Sequence, residues 1–285
     1  MISKDELKKL THKHNEDSVF IENVSLVSEN RFDATLKSVE SHTLYNNFSP
    51  TKNHVDPIYL LECARQLETI ISHKYFNVET SAKFILKSWS LHYKKTLTKQ
   101  AKYLKAEVTT KNPINKKAKE NTFCITIKSF SNTVCKVSIS VSYLKDSTYH
   151  LIRSKCKAHK ECNKTHPEKN ILATDVGYTF QENVCLAEFH KESHKAFSEV
   201  HIPESNITYN DHTQDHITGI NITEAAKQTC YCYLKKSKNA DIGEFMLKTI
   251  KGDFIAYSEN DLPTFIEIED SLEENKAITF LLKVT

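Results

Sequence analysis

Two segments of the chain are apolar on nearly every side when their residues are spaced as in a helix. A helix that is apolar almost all round is a buried one. Asp56 is a good N-cap residue and Pro57 suits the first helical position, and Thr218 and Gly219 occupy the same places in the second segment. The pattern predicts buried helices over 57–75 and 219–236. Their apolar residues are Ile58, Leu60, Leu61, Ala64, Leu67, Ile70 and Ile71 in the first, and Ile220, Ile222, Ala225, Ala226, Cys230 and Tyr233 in the second.

The two predicted helices belong to an internal repeat. The segment 54–66 aligns without a gap with 216–228, which lies 162 residues further along the chain. The His, Ile, Glu, Ala and Gln positions are identical, and Arg65 is matched by Lys227. A repeat offset longer than half of the chain predicts two whole domains rather than short solenoid units.

Strand-like runs with alternating or β-branched residues surround both helices. A long buried helix followed by antiparallel strands, twice over, predicts an α+β fold. We expect a tandem double hotdog, with two long central helices each wrapped by an antiparallel β-sheet and with the two sheets paired edge to edge. The predicted strands are 18–27, 84–93, 104–110, 123–130, 134–144, 184–189, 196–202, 244–250, 254–257, 265–268 and 278–284.

Domain boundaries follow from a change in composition. The stretch 145–170 is rich in Lys, His and Cys and poor in aliphatic residues. We therefore predict an N-terminal hotdog domain over 1–150, a linker over 151–175 and a C-terminal hotdog domain over 176–285. Within the stretch, four residues have a spacing compatible with tetrahedral zinc, although a segment rich in Lys and His explains them as well. They are Cys156, His159, Cys162 and His166. We expect neither a metal nor a cofactor.

Overall charge and hydropathy exclude several classes of partner. The formal net charge of +3 is too small to predict nucleic-acid binding. No run approaches the ~18 apolar residues of a membrane helix, and the charged N-terminus does not resemble a signal peptide. These features predict a cytoplasmic protein, whether monomer or homodimer. Locally, 87–119 contains ten lysines and a single acid, Glu107. This stretch is either a solvated face or a docking surface for an acidic partner.

Each predicted helix carries a carboxylate, a cation and an amide on one face. The residues fall at i, i+3 and i+4. A buried helix must offset the cost of desolvating such groups. They form either a satisfied ion pair that fixes helix packing or a polar site inside an apolar tunnel, and the residue pattern leaves both open. The residues are Glu62, Arg65 and Gln66 in the first helix and Glu224, Lys227 and Gln228 in the second.

The motifs around both helices resemble the A-factor biosynthesis hotdog family. One is Asp211-His212-x-x-Asp215-His216-x-x-Gly219, followed by Glu224-Ala-x-Lys227-Gln228. The other is Asp56-Pro57 with Glu62-x-x-Arg65-Gln66 and then Ser72-His73-x-Tyr75, and His12-Lys13 is similar to the family's N-terminal opening. The resemblance spans about residues 10–285 and the paired motifs are specific.

The resemblance implies an acyltransferase that makes γ-butyrolactone autoinducers, or quorum-sensing signals, in secondary metabolism. Such enzymes condense a β-ketoacyl thioester on acyl carrier protein with a hydroxyl of dihydroxyacetone phosphate, a phosphorylated triose. The ester then cyclises to a butenolide. No nucleic acid or membrane takes part.

Roles for individual residues also follow from the resemblance. A buried carboxyl group can accept a hydroxyl proton, helix-start N–H groups can polarise the thioester carbonyl, and a cation can hold the phosphate. The resemblance implies Glu62 and Glu224 as catalytic residues. It implies Arg65, Gln66, Lys227, Gln228, His216 and Gly219 as substrate-binding residues.

Departures from the family pattern keep a non-catalytic role open, which is one of two alternatives to this activity. Lys227 stands where the family has Arg and loses the bidentate fork, and Thr218 replaces the usual Pro. The alternatives are another hotdog acyl-thioester enzyme, such as a thioesterase or dehydratase, and a non-catalytic acyl-binding protein. Related dehydratases have a His fourteen residues before the Glu, and Asn210 at that position argues against dehydration.

Overall fold

The computed structural model describes residues 2–38, 42–48, 50, 53–99, 101, 103–115, 118–157, 170–192, 195–275 and 277–285, with the backbone alone at 155–157. The chain packs into two compact units. The first contains 1–46, 53–161 and 247–255, and the second contains 47–52, 162–246 and 256–285. In chain order the helices and strands are α1 (Lys4–Leu10), β1 (Ile21–Ser28), β2 (Arg31–Leu36), α2 (Pro57–Lys74), β3 (Lys83–Tyr93), β4 (Leu104–Thr110), β5 (Glu120–Ser129), β6 (Asn132–Leu144), α3 (Asp146–Lys157), β7 (Leu186–Lys191), β8 (Ala196–Val200), β9 (His216–Ile217), α4 (Gly219–Lys238), β10 (Thr249–Asp253), β11 (Ser258–Glu259), β12 (Phe265–Glu274) and β13 (Ala277–Val284).

The first unit is built around α2. Asp56 caps this helix by accepting a hydrogen bond from the Ile58 N–H at 2.9 Å, and Pro57 opens the first turn. Almost every residue of α2 is buried, and it packs against β1, β3, β5 and β6. The prediction of a buried helix from 57 is therefore confirmed.

A seven-stranded antiparallel sheet wraps α2 in the order β1-β2-β4-β5-β6-β3-β10. Buried and exposed residues alternate along β4, because successive side chains point to opposite faces of a strand. Strand β2 was not predicted from the sequence, since its apolar run has only three members, Phe32, Ala34 and Leu36. At the other side of the sheet, β10 pairs with β3.

The second unit is built around α4, which Thr218 caps by accepting from the Asn221 N–H at 3.4 Å. The helix packs against β7, β8 and β12 of an antiparallel sheet ordered β13-β12-β8-β7. A further pair, β9 and β11, precedes and follows α4 along the chain. The predicted strand 254–257 is wrong, because β10 ends at Asp253 and the next pairing starts at Ser258.

The chain thus has a tandem hotdog fold, with each long helix wrapped by an antiparallel sheet. The predicted single continuous sheet is wrong: β10 joins the seven-stranded sheet, while β7, β8, β12 and β13 form a separate one. Helix α3 crosses the predicted domain boundary at 150, and about half of the predicted linker, 158–169, lies outside the described residues. The boundaries stay a prediction. No helix in the described ranges is long and apolar enough to cross a membrane.

Candidate active site

A glutamine in α2 holds Glu62 in place. The Gln66 amide donates to Glu62 Oε1 at 3.0 Å and to the Ser18 carbonyl at 2.8 Å. Its own carbonyl oxygen accepts from the Phe20 N–H at 2.8 Å. The amide therefore ties the segment before β1 to α2 and orients the carboxylate one turn earlier.

The second unit repeats this arrangement atom for atom. The Gln228 amide donates to Glu224 Oε1 and to the Asn183 carbonyl, each at 2.9 Å, and accepts from the Cys185 N–H at 2.9 Å. Asn183 and Cys185 lie 165 residues after Ser18 and Phe20, which are the partners of Gln66. Both glutamines are buried, and in each unit the amide positions the glutamate.

The cation beside Glu62 comes from the N-terminal segment. Lys13 Nζ lies 3.0 Å from Glu62 Oε1, and the two side chains are 18% and 6% exposed. Lys13 follows His12, whose φ of 56° is left-handed, and the Lys13 N–H donates to the Lys8 carbonyl at 3.1 Å. The end of α1 thus directs this ammonium group toward the helix carboxylate.

Arg65, one of the two cations that the resemblance implies as substrate-binding residues, is engaged elsewhere. Its guanidinium lies 2.5 Å from Glu68 Oε2, also bonds the Thr69 hydroxyl, and lies over the Phe84 ring with 5.6 Å to the centroid. Glu68 is fully buried, and desolvation raises the pKa of its carboxyl group despite the neighbouring arginine. Arg65 therefore neutralises a structural carboxylate.

A neutral histidine lies near the Glu62–Lys13 pair. Burial lowers the pKa of His42 to about 4, with smaller opposing contributions that include Asp17 and Glu62. The His42 Nδ1 accepts from the Leu44 and Tyr45 N–H groups, each at 3.3 Å. Because Nδ1 accepts, the proton of the neutral ring is on Nε2.

In the second unit the cation comes from the helix itself. Lys227 Nζ lies 2.9 Å from Glu224 Oε2, with side chains 1% and 2% exposed. The Tyr178 hydroxyl donates to Glu224 Oε1 at 2.9 Å and accepts from Lys227 Nζ at 3.1 Å. The Phe48 ring covers the ammonium group, with 3.9 Å between Nζ and the centroid. This polar cluster is almost completely enclosed.

A tight backbone approach places Tyr178 and Phe48 together. The two residues form an antiparallel bridge, next to Gly177 with a φ of 84°. A Cβ on Gly177 would lie 2.7 Å from Pro50 Cδ and 2.9 Å from Phe48 Cε2, so only glycine fits. Gly177 lies 165 residues after His12, which is also left-handed, and Tyr178 therefore corresponds to Lys13.

The remaining predicted site residues lie around the start of α4. His216, in β9, bonds Asp215 at 2.6 Å, and its ring meets Tyr257 edge to face. Gly219 is the first residue of α4, and its carbonyl accepts from the Thr223 hydroxyl at 2.8 Å. The zinc candidates cannot be placed, since His159, Cys162 and His166 lie outside the described residues, as does the Cys156 side chain.

Sequence reasoning missed five residues that lie around the two glutamates or hold the cation beside them. They are Lys13, His42, Phe48, Glu68 and Tyr178. Lys13 and Tyr178 occupy equivalent positions in the two units but differ in residue type, so a search for identical residues does not relate them. One signal was available: Glu68 in α2 corresponds to Cys230 in α4, which leaves Lys227 without a second carboxylate to bind.

One family model matches most of the chain. The family model described as the A-factor biosynthesis hotdog domain matches residues 7–143 and 162–279. The 2-oxo-3-(phosphooxy)propyl 3-oxoalkanoate synthase of Streptomyces virginiae is 22% identical over 271 residues, which cover 92% of this chain and 86% of that protein.

Two solved structures resemble the chain more distantly. The bifunctional dehydratase-cyclase domain of ambruticin biosynthesis has a TM-score of 0.49 and 10% identity, covering 90% of this chain and 85% of that one. A putative oleoyl thioesterase from Lactobacillus plantarum has a TM-score of 0.47 and 8% identity, covering 92% of each chain. With TM-scores below 0.5, the fold assignment rests on the element arrangement and the family match.

Proposed function

Because the chain belongs to the A-factor biosynthesis hotdog family, we propose that it is an acyltransferase that joins a β-ketoacyl group to a hydroxyl of dihydroxyacetone phosphate. The name of the Streptomyces relative describes such an ester of a 3-oxoalkanoate. The observation that carries the proposal is a glutamate, oriented by a glutamine and paired with a lysine, in each buried helix. The ester would cyclise to a butenolide precursor of a γ-butyrolactone.

The chemistry requires a base, an oxyanion site and a cation. The glutamate carboxylate accepts the proton of the acceptor hydroxyl as its oxygen attacks the thioester carbonyl. An ester bond forms, the carbon–sulfur bond breaks, and the thiol leaves with a proton. N–H groups in the first turn of α2, after Pro57, or of α4, from Gly219 onward, stabilise the oxyanion. A lysine beside the glutamate binds the phosphate.

The acyl carrier protein is the proposed partner, and the first unit offers a basic surface for it. Residues 83–106 and 121–145 contain ten lysines and no Asp or Glu. Within these stretches a cavity of about 460 Å³ is lined by residues that include Lys95, Leu97, Tyr103, Phe130 and Val134. Tyr103 and Phe130 are mostly exposed, with ring centroids 5.6 Å apart.

Not all of the predicted basic stretch contributes to this surface. Lys94, Lys95 and Lys105 are exposed. Lys99 turns inward and donates to the Asn46 carbonyl. The positions of Lys102, Lys116 and Lys117 lie outside the described residues. Exposed lysines beside an apolar cavity suit an acidic protein with apolar side chains at its contact surface.

Mass spectrometry of the purified protein with β-ketoacyl carrier protein tests the proposal. With dihydroxyacetone phosphate present, we expect the phosphorylated ester and free carrier thiol. Without the acceptor, the acyl carrier should stay intact. Release of free acid would indicate a thioesterase, loss of water a dehydratase, and an unchanged carrier in both reactions a binding protein.

A further inference from the structure

The two glutamate sites differ in whether their lysine can meet a ligand. In the Glu224 site the ammonium group of Lys227 already contacts a carboxylate, a phenol and a ring face, and its side chain is 1% exposed. A phosphate entering there would have to break a desolvated ion pair, which is costly because each charge would lose its partner in the interior.

In the Glu62 site the lysine reaches the surface. Lys13 is 18% exposed, and Glu62 Oε1 lies 3.0 Å from its ammonium group, which has three N–H donors. An anion can therefore approach from the exposed side while the bond to Glu62 is kept. The same lysine would then lie between a phosphate and the carboxylate and reduce their repulsion.

The segment that carries Lys13 is tied to α2. Lys74 Nζ lies 2.7 Å from Glu6 of α1, and the Nε2 atoms of His12 and His73 lie 2.6 Å apart. Lys13 lies between these contacts and the hydrogen bonds of Gln66 to Ser18 and Phe20, and together they hold its backbone against the central helix. The ammonium position is thus set by tertiary contacts on both sides rather than by a free chain end.

We infer that Lys13 is the phosphate-binding residue of this protein and that the Glu62 site, rather than its copy at Glu224, takes the acceptor. The ligand is a small phosphate monoester that carries a free hydroxyl group. The inference rests on the proposed function for the identity of this acceptor. We assign the phosphate to Lys13 rather than to Arg65, because Arg65 Nη1 already bonds Glu68 and Thr69.

Calorimetric titration with dihydroxyacetone phosphate, without any thioester, tests the inference. Lys13→Met should weaken binding about tenfold or more, the usual effect of losing one charge-assisted hydrogen bond. Lys13→Arg should restore most of the affinity. Lys9→Met, on the exposed face of α1, is the matched control and should bind like the wild type.

A second variant separates Lys13 from Arg65. Arg65→Met combined with Glu68→Met removes the buried pair together, so no lone charge is left inside. We expect unchanged affinity in this variant. In turnover, Lys13→Met should raise KM for the acceptor and change kcat less than about threefold.

Two results would overturn the inference: wild-type affinity in Lys13→Met, or no binding of dihydroxyacetone phosphate by the wild type. The proposed function is judged separately, because it fails only if the wild type forms no ester in the mass-spectrometric assay. If the protein binds the acceptor through Lys13 but forms no ester, the inference about Lys13 holds and the proposed function is wrong.

Discussion

Glu62 and Glu224 accept the same amide hydrogen bond from a glutamine one turn further along, yet their cations arrive from different parts of the chain. Lys13 reaches Glu62 from the segment after α1, while Lys227 reaches Glu224 from the same helix. Where the first unit has Lys13, the second has Tyr178. Duplication kept the scaffold that orients the carboxylate and changed the charge around it.

This difference shows that a single residue can decide which carboxylate a neighbouring cation contacts. Arg65 and Lys227 occupy equivalent positions, but Arg65 turns to Glu68, whereas the equivalent of Glu68 in α4 is Cys230. Because α4 offers no second carboxylate at that position, Lys227 turns back to Glu224. The result is a partly exposed pair in one unit and an enclosed pair in the other.

The largest expected effect concerns stability and the enclosed pair. Lys227→Met should lower the free energy of unfolding by about 3–5 kcal/mol, since Glu224 would remain buried without its cation. Lys13→Met should cost less, about 2 kcal/mol, because the lysine is 18% exposed and water can replace its ammonium group beside the buried Glu62. Urea unfolding monitored by circular dichroism measures both changes. Equal losses of unfolding free energy would contradict the conclusion that the Glu224–Lys227 pair is more enclosed than the Glu62–Lys13 pair.

The second prediction compares the two carboxylates in catalysis. Glu62→Gln should lower ester formation by ~10² or more, because the general base is lost while an amide of the same shape remains. Glu224→Gln should lower the rate of the folded protein less than tenfold. Initial rates at a temperature where circular dichroism shows both variants folded measure this, and full activity in both variants would exclude either glutamate as the base.

Acid stability sharpens the comparison further. The pKa of His42 is about 4 in the fold, because of burial, against about 6.5 unfolded, so its stabilising contribution is complete above pH 6.5 and is lost as the pH falls toward 4. In a turn of the second unit the side chain of Asn206 accepts a hydrogen bond from the Thr208 N–H, so asparagine can take such a place. His42→Asn should therefore reduce the loss of unfolding free energy between pH 7 and pH 4.5 by about 2 kcal/mol.

Urea titrations at the two pH values check this prediction. His73, whose pKa burial also lowers, remains in the variant and should leave a residual dependence of the same sign. The Glu68 carboxyl, with its raised pKa, contributes in the opposite direction and is equally present in both proteins. An unchanged pH dependence in His42→Asn would show that His42 is not buried in its neutral form.

The smallest effect concerns the carrier protein. Lys94→Glu with Lys95→Glu should raise KM for carrier-bound substrate severalfold and leave small thioester analogues unaffected. The wild-type interaction should weaken with salt, since exposed charges are screened beyond ~10 Å at 0.1 M. Lys191→Glu with Lys283→Glu makes the same charge change on the second unit and is the control. If both pairs of substitutions raised KM equally, the basic stretch would be an ordinary solvated surface and not a docking site.

The sequence by itself determined both central helices and the residues at their polar face. Their periodicity, caps and repeat placed Glu62, Gln66, Glu224 and Gln228 correctly at buried positions. These features are local, because helix spacing and capping depend on residues within a few turns. Strand β2 was missed and the segment 254–257 misassigned, because short apolar runs carry little periodic signal.

Tertiary structure alone decided which cation meets each glutamate. Lys13, Phe48 and Tyr178 lie far along the chain from the carboxylates they surround. The contacts form only when the segments before β1, α2 and β7 pack on the helices. A helix pattern shows that Arg65 and Lys227 share a face with a glutamate, but not that a buried Glu68 competes for one of them. Which carboxylate a cation pairs with depends on burial, because an unpaired carboxylate in the protein interior is costly and a nearby cation lowers that cost.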